Sequence, residues 1–348
     1  LGDIKATINV TAQNDNIDLS VELGNTDSVR NEGIIDISSK ITQYLDQPKF
    51  DIEVLPSDII LNDSAWNIGH ASISYALANQ AMDIKNFSLS TDYQLITAEG
   101  RASKLATDSI NVVLHNINLD YILSYTEASK AISIMGLVTG EAQVYSVFSD
   151  LMLEAQAFIP NGGLNGVYLG DVSAEAKLDR DNNNILIYGQ IVDSTQHMVA
   201  EVNGKVIPAT KWWGLDIQCD SVDISLIDFW TNKIFSNPQG RAYGNLSVFG
   251  QDRQTWVTAA VLGKDAQVTI PQLGTTFYFS DSVLMDSTSI RIPHATAYDA
   301  EGNKIDELVA SNSNRIPVSV LPIWVTVPSA NSARPSFRQA IKFCCFCS

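Results

Sequence analysis

The sequence has no apolar run of 18 residues or more, so no stretch of it reads as a membrane-spanning helix. Basic residues are few, 22 Lys and Arg against 39 Asp and Glu, and the formal net charge is −17. The Lys and Arg side chains nowhere cluster, as phosphate neutralisation requires, so nucleic acid is not an expected partner. An acidic surface also repels anionic headgroups, and its plain reading is solubility. Cysteine is scarce: Cys219 stands alone in the body of the chain, and Cys344, Cys345 and Cys347 crowd the C-terminus. That spacing supplies no disulfide framework and says little about compartment. A signal-peptide pattern is missing, and the chain opens in mid-pattern on Leu1-Gly2-Asp3, which reads as a processed or internal segment of something longer.

Catalytic signatures are missing too. There is no Walker A loop, no H-E-x-x-H and no G-x-S-x-G. Gly162-Gly163-Leu164-Asn165-Gly166 lacks the dinucleotide-binding spacing and reads as a loop among strands. Asp179 to Asn184 imitates the start of a calcium loop, but Asn184 replaces the required Gly and Gln190 the required Glu; a solvated hairpin turn fits better. His70, His115, His197 and His294 are far apart, none at ligand spacing with another. The terminal cysteines lack a second ligand pair, and the carboxylates mostly alternate outward without forming an acid–base pair. The expectation is a protein without catalytic residues, cofactor or metal.

Period-two alternation fills the space these absences leave. Ile17, Leu19, Val21 and Leu23 alternate with Asp18, Ser20 and Glu22; Ala6, Ile8 and Val10 alternate with Lys5, Thr7 and Asn9. The same holds for Phe50 to Val54, for Val172, Ala174, Ala176 and Leu178, and for Leu215, Ile217 and Cys219. Such strands belong to a sheet that is wet on one face only. Turn residues separate them: Gln13-Asn14-Asp15-Asn16, Gly24-Asn25, Asp181 to Asn184, Asn203-Gly204 and Glu301-Gly302-Asn303. The spacing predicts roughly 20–25 strands. At about 4.8 Å per strand one sheet would run about 100 Å, and so long a sheet must twist, curl or split. Two packed sheets of a sandwich would give the same alternation; the strand count favours something longer.

Leu119 to Ala131 and Leu226 to Phe235 break the alternation and predict short helices. They also reveal a repeat. A shift of 104 residues places Leu123 on Ile227, Gly136 and Gly140 on Gly240 and Gly244, Val144 on Val248, Ala155 on Ala259 and Gly170 on Gly274. The expected units are about 111–193 and 215–297, each a supersecondary block leaning on its neighbour. Residues 306–348 differ from the body. They carry Pro317, Pro322, Pro328 and Pro335, then Arg334, Arg338 and Lys342, and read as a disordered or non-native tail.

The motifs, in order, are Leu61-Asn62-Asp63-Ser64-Ala65-Trp66, Ile84-Lys85-Asn86-Phe87-Ser88-Leu89, Ala98-Glu99-Gly100-Arg101-Ala102-Ser103, Ile117-Asn118-Leu119-Asp120-Tyr121-Ile122, Gly136 with Gly140, Gly240-Arg241-Ala242-Tyr243-Gly244-Asn245-Leu246 and Thr275 to Ser282. Over residues 1–305 this sequence resembles the TamB family of translocation and assembly proteins, in the form found in Bacteroides-like bacteria. The resemblance implies an all-β fold: an elongated, curled antiparallel sheet forming an open groove, with a few short helices. It implies a periplasmic segment of an inner-membrane-anchored protein. Such a protein carries phospholipid towards the outer membrane, supports outer-membrane protein assembly and engages an outer-membrane barrel partner. Ile17, Leu19, Val21, Val172, Ala174, Leu178, Leu215 and Ile217 would then line the groove. Two other classes compete. A structural or adhesive β-solenoid predicts coils of roughly 20–30 residues. An enzyme on a β-solenoid predicts clustered carboxylates and basic residues on one face.

Overall fold

In a computed structural model, the described residues are 5–25, 29–120, 133–148, 151–227, 236–251, 254–271, 275–286, 289–292, 297–298, 304–305 and 308–311. They form an all-β protein. The strands are β1 (Lys5–Gln13), β2 (Asn16–Gly24), β3 (Glu32–Tyr44), β4 (Gln47–Val54), β5 (Ser57–Leu61), β6 (Ser64–Ile68), β7 (Ala71–Ala76), β8 (Ala81–Ser90), β9 (Leu95–Ala102), β10 (Ser109–Asn118), β11 (Ile134–Met135), β12 (Leu137–Tyr145), β13 (Met152–Leu164) and β14 (Val167–Asp179). They continue as β15 (Asn184–Val192), β16 (Met198–Ile207), β17 (Trp212–Asp223), β18 (Ser236–Gln251), β19 (Gln254–Ile270), β20 (Thr275–Met285), β21 (Ser289–Ile292), β22 (Ala297–Tyr298), β23 (Lys304–Ile305) and β24 (Leu308–Ser311). No helix of seven residues or more occurs among the described residues. Most of both expected helices, 121–131 and 228–235, lies outside them; Ile224–Ile227 is one 3-10 turn.

The chain divides into two compact units: residues 1–160 with 173–185, and 161–172 with 186–348. The division passes through β13 and β14 rather than between the expected repeat units, and strand pairing reaches Leu308–Ser311, past residue 305.

In the first unit, antiparallel pairing runs β1, β2, β3, β4, β7, β8, β9, β10, β12, β13. The register puts one row across all ten strands: Ala12, Ile17, Ser39, Ile52, Ile73, Ile84, Gly100, Ile110, Val144, Leu153. The opposite face carries rows such as Lys40, Asp51, Ser74, Asp83, Arg101. There Arg101 pairs with Asp83 at 2.9 Å, and Ser72 Oγ donates to Glu53 at 2.6 Å. The hairpin β5–β6 forks from the sheet, pairing with β3 and β8 beyond the ends of β4 and β7. Its Ile59, Trp66 and Ile68 join Val54, Ala71, Ile117 and Val138 in the core. Ala71, Ile117 and Val138 are at most 2% exposed, which a bare flat sheet cannot achieve, so the sheet curls over this face.

In the second unit, β16 to β20 pair in sequence where registers are given, followed by β21 and β24. Rows on one face read Val202, Ile217, Leu246, Ala259, Met285 and Gly204, Leu215, Val248, Val257. The reverse face includes Asn203, Asp216, Ser247, Thr258.

One device recurs. In β8 the partners step from Ile84 with Gly100 to Phe87 with Ala98; in β10 from Leu114 with Gly140 to Ile117 with Val138; in β17 from Cys219 with Gly244 to Val222 with Ala242. Each step gains one residue, a β-bulge. Its third residue is left-handed: Asn86 at φ 56°, Asn116 at φ 52°, Ser221 at φ 83°. The glycine opposite leaves no room for a side chain. A Cβ would sit 2.3 Å from the Ser109 carbonyl oxygen at Gly100, 2.2 Å from that of Gln156 at Gly140 and 2.4 Å from that of Ala260 at Gly244.

The registers of β10, β12 and β13 transfer whole onto β17, β18 and β19. Adding 105 to β10 and 104 to β12 and β13 turns every registered pair of the first set into one of the second, as Ser109 with Tyr145 becomes Gly214 with Phe249. The difference of one lies in the connection: 18 residues separate Asn118 from Leu137, and 17 separate Asp223 from Arg241.

Two turn expectations need correction. Asn203 and Gly204 lie inside β16, where Gly204 makes room for Leu215: a Cβ would fall 2.5 Å from its methyl carbon. Gly162 and Gly163 end β13, and the turn is Asn165-Gly166, whose positive φ of 51° and 83° suits a tight hairpin.

Candidate functional site: the apolar sheet faces

The candidate site is a surface in each unit. Ile17, Leu19 and Val21 are half-buried on β2, between exposed Asp18 and Glu22. Cross-strand neighbours extend them on both sides: Val10, Leu19, Ile37 and Ile8, Val21, Ile35. The face is least covered at β1, where Ile8 is 60% and Val10 59% exposed. Towards β9–β13 it narrows to small residues, Ala98, Gly100, Gly140, Ala142, Ala155 and Ala157, flanked by Leu89, Ile96 and Leu114. None of the registered positions on this face carries a charge, and the carboxylates of the same strands stand on the other side. Burying an unpaired charge is expensive, so the two faces are energetically distinct.

Leu215 and Ile217 are half-buried on β17, while Asp216 and Gln218 beside them are exposed. Cys219 follows on the same face, and burial pushes its thiol pKa up. One carboxylate intrudes: Asp281 stands opposite Gly263, with Oδ1 accepting from the Ser282 amide at 2.6 Å and Oδ2 buried without a partner. The expected lining is less regular on β14. Val172 and Leu178 are half-buried, but Ala174 is exposed and Glu175 is half-buried, its carboxylate 2.8 Å from Lys177. Thus Ile17, Leu19 and Val21 share one face in the first unit, Leu215 and Ile217 share one in the second, and Ala174 is exposed on β14.

The other residues weighed for chemistry hold structural posts. Asp179 caps the β14–β15 turn, accepting from the Asn182 amide at 3.3 Å and its side chain at 2.8 Å. His70 lies 3.1 Å from Glu53 and His197 3.4 Å from Asp220, both at the surface. No group of three potential metal ligands occurs among the described residues. Sequence reasoning passed over Gln94, 2% exposed: its Oε1 accepts from the Asn118 amide at 3.0 Å, while Nε2 has no partner. Nor does alternation alone assign Ile117 and Val138 to the centre of the core.

No family model matches the chain, and no curated protein or solved structure is significantly similar to it.

Proposed function

We propose that the apolar faces hold the acyl chains of phospholipid, and that the protein is a lipid-conduit segment of the bacterial envelope, as the TamB resemblance implies. One observation carries the reading: a registered face without charge across ten strands, backed by a face that holds the carboxylates. Each CH₂ of a lipid tail exposed to water costs about 0.8 kcal/mol, so a tail crossing an aqueous compartment needs such a path. In this reading the protein works in the periplasm, on a longer inner-membrane-anchored chain. It supports outer-membrane protein assembly with a barrel partner and performs no reaction.

A photo-crosslinking residue at Leu19 or Ile217 is expected to capture phospholipid in cells, and one at Asp18 or Asp216 is not. Capture from neither face would overturn the reading. A second reading, a structural or adhesive surface protein without lipid transport, draws on one observation. On the polar face of the second unit Phe249 and Trp256 stack at 5.9 Å and 22°, and the Trp212 ring lies over Gly214, where a Cβ would come within 2.6 Å of it. Flat aromatic faces beside Asn203, Asp216 and Ser247 suit the C–H faces of sugars. A lipid-free surface that binds carbohydrate would favour it.

A further inference from the structure

Aromatic side chains gathered on the wetted face of a sheet mark a contact site more often than chance. Three gather on the polar face of the second unit. The register sets Gly214, Phe249 and Trp256 in one row across β17, β18 and β19. The Trp212 ring occupies the space that a side chain at position 214 would take: its Cη2 and Cζ2 lie 2.6 and 3.0 Å from a Cβ built there. Glycine at 214 therefore lets the indole settle onto the backbone. The Phe249 and Trp256 rings beyond it lie 5.9 Å apart with only 22° between their planes. Trp212, Phe249 and Trp256 are all half-buried, so neighbours hold each ring while part of it stays open.

The rings step across the sheet at the strand spacing, about 4.8 Å, which is close to the length of one pyranose residue in a saccharide chain. Such a residue offers a flat C–H face to an aromatic ring and carries its hydroxyls around the rim. Hydrogen-bonding side chains flank the strip on both sides, each row about 7 Å away along the strands. Asn203, Asp216, Ser247 and Thr258 form one row, and Gln251 and Gln254 belong to the other. The Asp216 carboxylate accepts from Ser247 Oγ at 2.6 Å, and it can only accept, so its remaining lone pairs suit ligand hydroxyls. A proline-rich peptide also packs on aromatic rings, but proline has no N–H to donate to Asp216. The excess of 39 acidic over 22 basic residues repels anionic polymers.

We propose that this strip binds a neutral saccharide chain laid across β17, β18 and β19, with successive sugar rings on Trp212, Phe249 and Trp256. The site gives the carbohydrate contact of the second reading a definite ligand, and it does not require that the protein be lipid-free. Leu215 and Ile217 belong to the opposite face, so sugar and lipid would occupy different surfaces.

The test runs the full chain in native gels containing soluble mixed-linkage β-glucan, xyloglucan or galactomannan, with alginate and poly-L-proline as comparisons. At least one neutral polysaccharide should retard the protein, and alginate and poly-L-proline should not. Trp256→Ala should weaken that retardation about tenfold or more. Tyr278→Ala, which removes a 52% exposed ring of β20 outside the strip, should leave it unchanged. Trp256→Phe keeps a ring in place, so it should still bind while losing much of the tryptophan fluorescence change that the polysaccharide produces. Migration unaffected by all three neutral polysaccharides overturns the proposal. So does retardation by alginate or poly-L-proline alone, or equal weakening by Trp256→Ala and Tyr278→Ala. If Trp256→Ala fails to fold, the comparison of Trp256→Phe with the unaltered chain decides the matter. Lipid capture at Ile217 is read separately, so failure here leaves the lipid reading standing.

Discussion

Gly244 is held at φ 128° with the Ala260 carbonyl oxygen 2.4 Å from where a side chain would begin. Substituting alanine there brings a strained dihedral and a backbone collision together. Gly244→Ala should therefore destabilise the fold by about 2–4 kcal/mol, read as a lower urea midpoint. Gly24, with nothing within 4 Å, is the control: Gly24→Ala should be neutral or slightly stabilising. At this scale the sequence is legible only in part. Ile17, Leu19, Leu215 and Ile217 fall on the face that alternation assigns. Ala174 is exposed, because alternation states which side a residue takes and not how much of that side is covered.

At the scale of the element, alternation marks the strands, and the bulges leave a subtler mark of their own. Apolar residues recur at 82, 84, 87, 89 in β8 and at 110, 112, 114, 117 in β10. A single step of three inside a run of twos is what a bulge does to a buried face. Asn116 occupies the left-handed position in β10, and its amide donates to Thr139 Oγ at 3.1 Å. Asn116→Val places a β-branched residue there and should cost about 1–2 kcal/mol, whereas Asn116→Gly should be close to neutral. Chemical denaturation of the two variants checks the difference. The fork at β5–β6 was invisible for another reason: pairing with β3 and β8 is a long-range choice, and local sequence carries no record of it.

For the whole molecule, the all-β class follows from composition and period alone, since alternation on so many segments cannot bury a helical stripe. The excess of 39 acidic over 22 basic residues is a property of the whole chain too. Like charges on the polar faces repel one another, and salt screens that repulsion over about 10 Å at 0.1 M. Raising the salt from about 0.01 M to 0.2 M should therefore raise the Tm, with sodium chloride and potassium chloride acting alike. A Tm that falls with salt would mean that the ion pairs of the polar faces outweigh the net repulsion.

The three-strand block built around a left-handed residue and its facing glycine occurs with the same registers at β10, β12, β13 and at β17, β18, β19, joined by links of unequal length. Such a block carries its own phase: the bulge resets the alternation, and the glycine marks where the neighbouring strand must start. Gene duplication can therefore lengthen the protein by whole blocks, each adding about 14 Å of sheet, without inventing a new core. A one-residue insertion in the link is harmless, while the same insertion in a strand turns every later side chain to the wrong side. Natural length variants should accordingly differ by complete blocks and by link residues.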